Sequence, residues 1–163
     1  LFFRYVLGYR DIIIGDKNCK LFNNKENFAT YKPNCELINK HWENDIKIKY
    51  SFNSFGRRDA ELNPIRSKTI NIASIGDSFT LGAMVPIKDN YNFFGFRSFK
   101  NKYLVHNYGV GGDNLDNIIN KLFLMEDLFS EYDYILYGLT PNDFFDYILD
   151  SQSSEKNSNN LTT

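Results

Sequence analysis

Three short apolar runs, each closed by a loop of small or polar residues, constrain this chain more than any other feature. The first holds Ile70, Ile72, Ala73 and Ile75 and stops at Gly76. The second is Tyr103 to Asn107 and leads into a glycine-rich loop. The third is Tyr134 to Leu139, closed by Thr140-Pro141. Short, largely apolar runs of this length suit strands covered on both faces, as in parallel sheets. We expect strands over 69–76, 103–108 and 133–139. Between the second and third runs, Leu115, Ile118, Ile119, Leu122, Phe123 and Met125 recur at helical spacing and predict an amphipathic helix, with Asp113 placed to cap it. A further helix is expected over 90–100, after Asp89–Asn90, carrying Tyr91, Phe94 and Phe99. Strand, helix, strand, helix, strand implies an α/β domain: a parallel sheet covered by helices, in three α/β/α layers of flavodoxin-like type.

The remainder divides around that core. Residues 1–67 read as a leader of short apolar pieces and polar turns, in which only Ile46-Lys-Ile-Lys-Tyr50 alternates like a half-wet strand. The core spans 68–150. Residues 151–163 form a Ser/Asn-rich tail with the composition of a disordered segment. Nineteen basic residues nearly balance twenty acidic ones. That balance, with no long single-sign run, argues against a nucleic-acid partner or a membrane surface gripped by bulk charge. No apolar run approaches membrane-spanning length, so the chain carries no strong membrane signal. Cys19 and Cys35 lack the C-x-x-C spacing of a metal knuckle or redox pair; the sequence leaves open whether they form a disulfide. No metal site and no cofactor is implied.

Ligands of parallel α/β sheets sit beyond the carboxyl ends of the strands, and here all three ends carry unusual loops. In Gly76-Asp77-Ser78-Phe79-Thr80-Leu81-Gly82 a serine follows the first strand directly, and the glycine at 76 suits a sharp turn there. Backbone N–H groups beside such a serine suit the stabilisation of an oxyanion. A phosphate-binding loop fits poorly, because five residues separate Gly76 from Gly82 where that pattern has four, and no Gly-Lys follows. The second loop, Asn107-Tyr-Gly-Val-Gly-Gly112-Asp-Asn, lacks dinucleotide-loop spacing. The third, Gly138-Leu-Thr-Pro-Asn142-Asp143, places an amide side chain just past a strand; taken alone, it reads as an Asx turn or a helix cap. A serine, a glycine amide and an asparagine amide at three strand ends together make a nucleophile with an oxyanion hole.

These blocks resemble those of the SGNH/GDSL hydrolases. The Gly-Asp-Ser block matches Gly76, Asp77 and Ser78, with Gly82 four residues beyond the serine. The second-block glycine falls best on Gly112, with Gly109 as the poorer choice. The third block matches Asn142-Asp143, its glycine displaced to Gly138. Asn53-Ser-Phe-Gly56-Arg-Arg58-Asp59 is similar to a segment that precedes the first block in bacterial members. The resemblance covers about residues 50–147. It implies that Ser78 attacks an acyl carbonyl while the amides of Ser78 and Gly112 and the Asn142 side chain hold the oxyanion. The implied activity is ester hydrolysis or O-acyl transfer, on an acyl ester of a small molecule, a glycan or a cell-envelope component. The family's Asp-x-x-His block is absent: His41 lies in the leader and His106 inside a predicted strand. We therefore expect the base, and the remaining strands of the sheet, beyond Thr163, and little activity from these residues alone. The alternative is a catalytically inactive module of the same fold that binds a glycan or a partner.

Overall fold

The computed structural model of the chain describes residues 12–15, 19–23, 25, 27–40, 46–59, 61, 69–92, 102–141 and 143. Among the described residues, five strands precede residue 52, more than the sequence pattern suggests: β1 (Ile12–Gly15), β2 (Lys20–Asn23), β3 (Phe28–Tyr31), β4 (Glu36–Lys40) and β5 (Lys47–Ser51). Of these, only β5 matches a stretch whose alternation marked it as a strand. β4 lies between β1 and β5, antiparallel to both, and β2 pairs with β3 as a separate antiparallel ribbon. A disulfide joins Cys19, just before β2, to Cys35, just before β4. Both sulfurs lie in a core with Leu37, Tyr50, Phe52 and Leu81, against which Tyr31 and Ile48 pack. Tyr31 stacks on Phe52 with ring centroids 4.1 Å apart. Leu81 belongs to the Gly76–Gly82 loop, so the leader and the serine loop share one core.

The second sheet has the expected strands. β6 (Ile70–Gly76) is central, with β7 (Tyr103–Asn107) on one side and β8 (Tyr134–Gly138) on the other, both parallel to it. One face carries Ala73 and Ile75, packed with Ile118 and Phe129 and flanked by Leu122, Met125 and Tyr137. Burying a side chain such as Ile75 or Ile118 completely contributes roughly 1.5–3 kcal/mol. Short α1 (Ser78–Leu81) follows β6. α2 (Leu115–Leu124) and α3 (Glu126–Phe129) join β7 to β8.

The inward stripe of α2 is narrower than its spacing suggested. Ile118, Leu122 and the C-cap Met125 face the sheet at i, i+4 and i+7. Ile119 and Phe123 point outward, Phe123 with 74% of its surface exposed. Asp113 does not cap α2. Asn114 does, in a reciprocal pair with Asn117: each side-chain oxygen accepts from the other's backbone N–H, at 2.9 and 3.1 Å. Asp113 is one residue too early for that geometry, and its carboxylate accepts from Lys121 instead.

The chain is thus mixed α/β, with a small parallel sheet of three strands. β8 forms an edge of that sheet, and Tyr134, Ile135 and Leu136 along it are exposed. Of the helix expected over 90–100, residues 91 and 92 are helical; residues 93–100 lie outside the described residues, as does the tail 151–163. Among the described residues no helix is long and apolar enough to cross a membrane.

Candidate active site

Ser78 is the first residue of α1, directly beyond the carboxyl end of the central strand. It is half-buried, and no hydrogen bond to its hydroxyl occurs among the described residues. As a first-turn residue it has no carbonyl of its own helix to receive its N–H. Asp77 caps α1: its carboxylate accepts from the Phe79 N–H at 2.9 Å, leaving the side chain 1% exposed. Gly82 closes the turn in left-handed conformation (φ 77°), with its N–H bonded to the carbonyl of Phe79. Glycine adopts that region without the usual side-chain penalty.

Gly76 has a reason other than the sharp turn expected of it. Its φ is not positive; the residue is demanded by crowding. A Cβ there would stand 2.1 Å from the Thr80 hydroxyl and 3.0 Å from the Gly138 carbonyl.

The loop after β7 packs against α1. A Cβ on Gly109 would meet the Leu81 nitrogen at 2.3 Å and the Thr80 carbonyl carbon at 2.6 Å. The Val110 N–H donates to the Gly76 carbonyl at 3.0 Å. Gly109, the poorer match by sequence, is therefore the glycine in direct contact with the serine helix. Gly112 sits at the exposed third position of a turn closed by Asp113 N–H to Val110 carbonyl at 3.1 Å. Its φ of 82° suits a type II turn. Lys20 ties this loop to the front ribbon by donating to the Gly111 carbonyl at 2.6 Å, and the Gly111 N–H donates to the Tyr31 hydroxyl at 3.2 Å. Behind it, Asp113 and Lys121 form a buried pair 2.6 Å apart. Burial pushes the Asp113 carboxyl up and the Lys121 ammonium down, and each charge offsets part of the other's penalty.

The loop after β8 meets α1 through Thr140, whose hydroxyl lies 3.1 Å from the Asp77 carboxylate and 3.2 Å from that of Asp143. Asp143 also accepts from the Thr140 N–H at 2.8 Å and the Tyr137 hydroxyl at 3.2 Å. Asp143 is thus tied back to Tyr137 and Thr140 at the end of β8. Asn142 itself, the expected oxyanion donor, lies outside the described residues. Gly76, Asp77, Ser78, Gly82 and Asp143 are drawn into one cluster of loops at the strand ends.

Sequence reasoning missed what holds that cluster. The Thr80 carbonyl, fully buried, accepts from the amides of Asn90, Asn92 and Asn107 at 3.2, 3.2 and 2.9 Å. Arg58, 3% exposed, donates to the carbonyls of Leu81, Gly82 and Val85, at 3.1 Å for Leu81 and 2.7 Å for Val85, and stacks over the Tyr50 ring at 3.9 Å. Asp59 accepts from the Asn107 N–H at 2.9 Å, and burial pushes its carboxyl up to about 6. The one available signal was the Asn53–Asp59 segment, which stands beside the catalytic blocks in the resembled family.

His106 is not presented to Ser78. It lies on β7, 2% exposed, with Nδ1 2.9 Å from Arg57 Nη1 and in contact with the Tyr132 hydroxyl. Arginine only donates, so Nδ1 is the acceptor and the neutral ring carries its proton on Nε2. Burial, reinforced by the Arg57 charge, lowers the imidazole to about 4. Among the described residues no group of His, Cys, Asp and Glu is arranged to hold a metal ion. No protein-family model, curated protein or solved structure matches this chain.

Proposed function

We propose that the chain carries the nucleophile and part of the oxyanion hole of a serine ester hydrolase or O-acyltransferase of SGNH/GDSL type, built on a three-layer α/β/α sheet. The supporting observation is Ser78, its hydroxyl unengaged among the described residues, at the carboxyl end of the central parallel strand, where the loops after all three strands meet. In this reading Ser78 Oγ attacks the acyl carbonyl. The N–H groups of Ser78 and Gly112 and the amide of Asn142 receive the charge that develops on oxygen. Asp77 and Thr140 set the mutual position of the first and third loops. The acyl donor is an ester of a small molecule, a glycan or a cell-envelope component.

A serine hydroxyl needs a base to take its proton. His106 is locked by Arg57 and Tyr132, so the base comes from outside the described residues. The test is hydrolysis of a p-nitrophenyl ester by the protein beside its Ser78→Ala variant. Ser78→Ala should lower the rate by about a thousandfold or more. A Ser78→Ala protein that keeps its rate would refute the assignment. The lack of a base at Ser78 among the described residues also favours a second reading, a non-catalytic module binding an acylated glycan. Glycan binding without turnover would select it.

A further inference from the structure

A cavity of about 360 Å³ lies beside β7, between the 55–57 segment and the α2–α3 region. Volumes of this order, walled by aromatic and apolar side chains with a few polar groups, are those of small-molecule sites. Tyr108, Val110, Met125, Leu128 and Tyr132 form much of the wall. Ser78 is not among the lining residues, while Asn107, Gly109 and Val110 border both the cavity and the serine loop.

Its charge is supplied by Arg57. This guanidinium is 7% exposed, and its nearest carboxylate, Asp59, stands 3.8 Å from Nε. Nη1 is held by His106, Tyr108 and Tyr132 at 2.9, 3.1 and 3.3 Å. Nε is buried without a hydrogen bond, and Nη2 forms none either among the described residues. Asp59 pairs with the Nε side alone, at a long distance, so a second anion would meet the guanidinium at its Nη2 side. The other cation in the wall, Lys121, is already neutralised by Asp113. The single carboxylate of the lining, Glu131, is exposed.

The cavity suits a monovalent, planar anion better than a phosphate. A phosphate site needs several convergent donors, typically backbone N–H groups. Here the N–H groups of Tyr108, Gly109 and Val110 are all spent, on Ser74 carbonyl, Asn107 Oδ1 and Gly76 carbonyl, at 2.7, 2.9 and 3.0 Å. A guanidinium edge matches a carboxylate, and Tyr108, Tyr132, Met125 and Leu128 supply a largely apolar wall for an aromatic body.

We propose that this cavity binds a small aromatic monocarboxylate, its carboxylate on Arg57 and its ring among Tyr108, Tyr132 and Met125. The test is titration of the full chain with sodium benzoate and with neutral benzamide, followed by calorimetry and amide shifts in nuclear magnetic resonance. Benzoate should saturate, bind at least about tenfold tighter than benzamide, and shift the amides of Tyr108, Val110 and Leu128. Leu128→Trp, which fills the cavity and leaves every bond of Arg57 in place, should weaken benzoate by at least about tenfold. Absence of saturable binding, equal affinity for benzamide, or undiminished binding by a folded Leu128→Trp protein overturns the proposal. Should that variant not fold, shifts in the wild-type chain decide: perturbation confined elsewhere rejects the cavity.

Discussion

The glycines of the serine cluster do different work, and substitution separates them. A Cβ on Gly109 is driven into backbone atoms of Thr80 and Leu81, which cannot rotate away. Gly109→Ala should cost about 3 kcal/mol, towards the upper end for overpacking. On Gly112 the Cβ meets nothing closer than Lys20 Nζ at 3.8 Å, and the penalty is the left-handed φ alone. Gly112→Ala should cost about 1–2 kcal/mol. Urea midpoints of the two variants give the ranking, and the reverse order would contradict this packing. Two buried titratable groups oppose each other in the same pH range. Asp59, raised to about 6, contributes stability that is present below its ordinary value and lost as pH rises through 6. His106, lowered to about 4, contributes stability that is present above its ordinary 6.5 and lost as pH falls towards 4. Their slopes therefore cancel in part between pH 4 and 6. Asp59→Asn removes one limb, so its stability should rise with pH across that window more steeply than the wild type's. Denaturant midpoints at several pH values check it; parallel profiles would show that Asp59 does not titrate there.

At the scale of elements, β6, β7, β8 and α2 were legible because each presents one periodicity to one environment. β6 is largely buried, hence apolar in nearly every position; α2 is half-buried, hence striped. The front strands were not legible, since their stability comes from pairing and cross-linking that no local pattern records. β2 is exposed at all four positions and is fixed by β3 and by the adjoining disulfide. The same blindness hid Arg58. A charged residue in a presumed leader reads as solvated, whereas here its donors meet carbonyls 23 to 27 residues downstream. Ser78 was legible from its loop, but its fastening through Thr80 and Arg58 was not. Arg58→Met should leave those carbonyls short of donors and cost about 3 kcal/mol, at the upper end for a buried unmet partner. Chemical denaturation measures it; an unchanged midpoint would mean that water replaces the guanidinium.

At the scale of the molecule, two sheets of opposite character are joined through the serine loop. Leu81 enters the front core, while Thr80 receives Asn107 from β7. The parts should therefore lose structure together. The disulfide bears on this directly, for it closes a loop of 16 residues within the front core. Replacing both cysteines by serine should cost about 3 kcal/mol. It should also lower the melting temperature seen by probes in the parallel sheet, such as Tyr137. A front half that melts alone, with the parallel sheet unmoved, would show that the shared core does not couple them.

Cys19 has no exposed surface, and Cys35 has 8%. Thiol–disulfide exchange requires an attacking thiolate to reach a sulfur, and in the folded chain the way to one sulfur is closed and to the other nearly so. Reduction must then wait on opening of the front core, which makes its rate a clock for that motion. A bond shielded in this way, once formed, outlasts passage through a mildly reducing medium for as long as the protein stays folded.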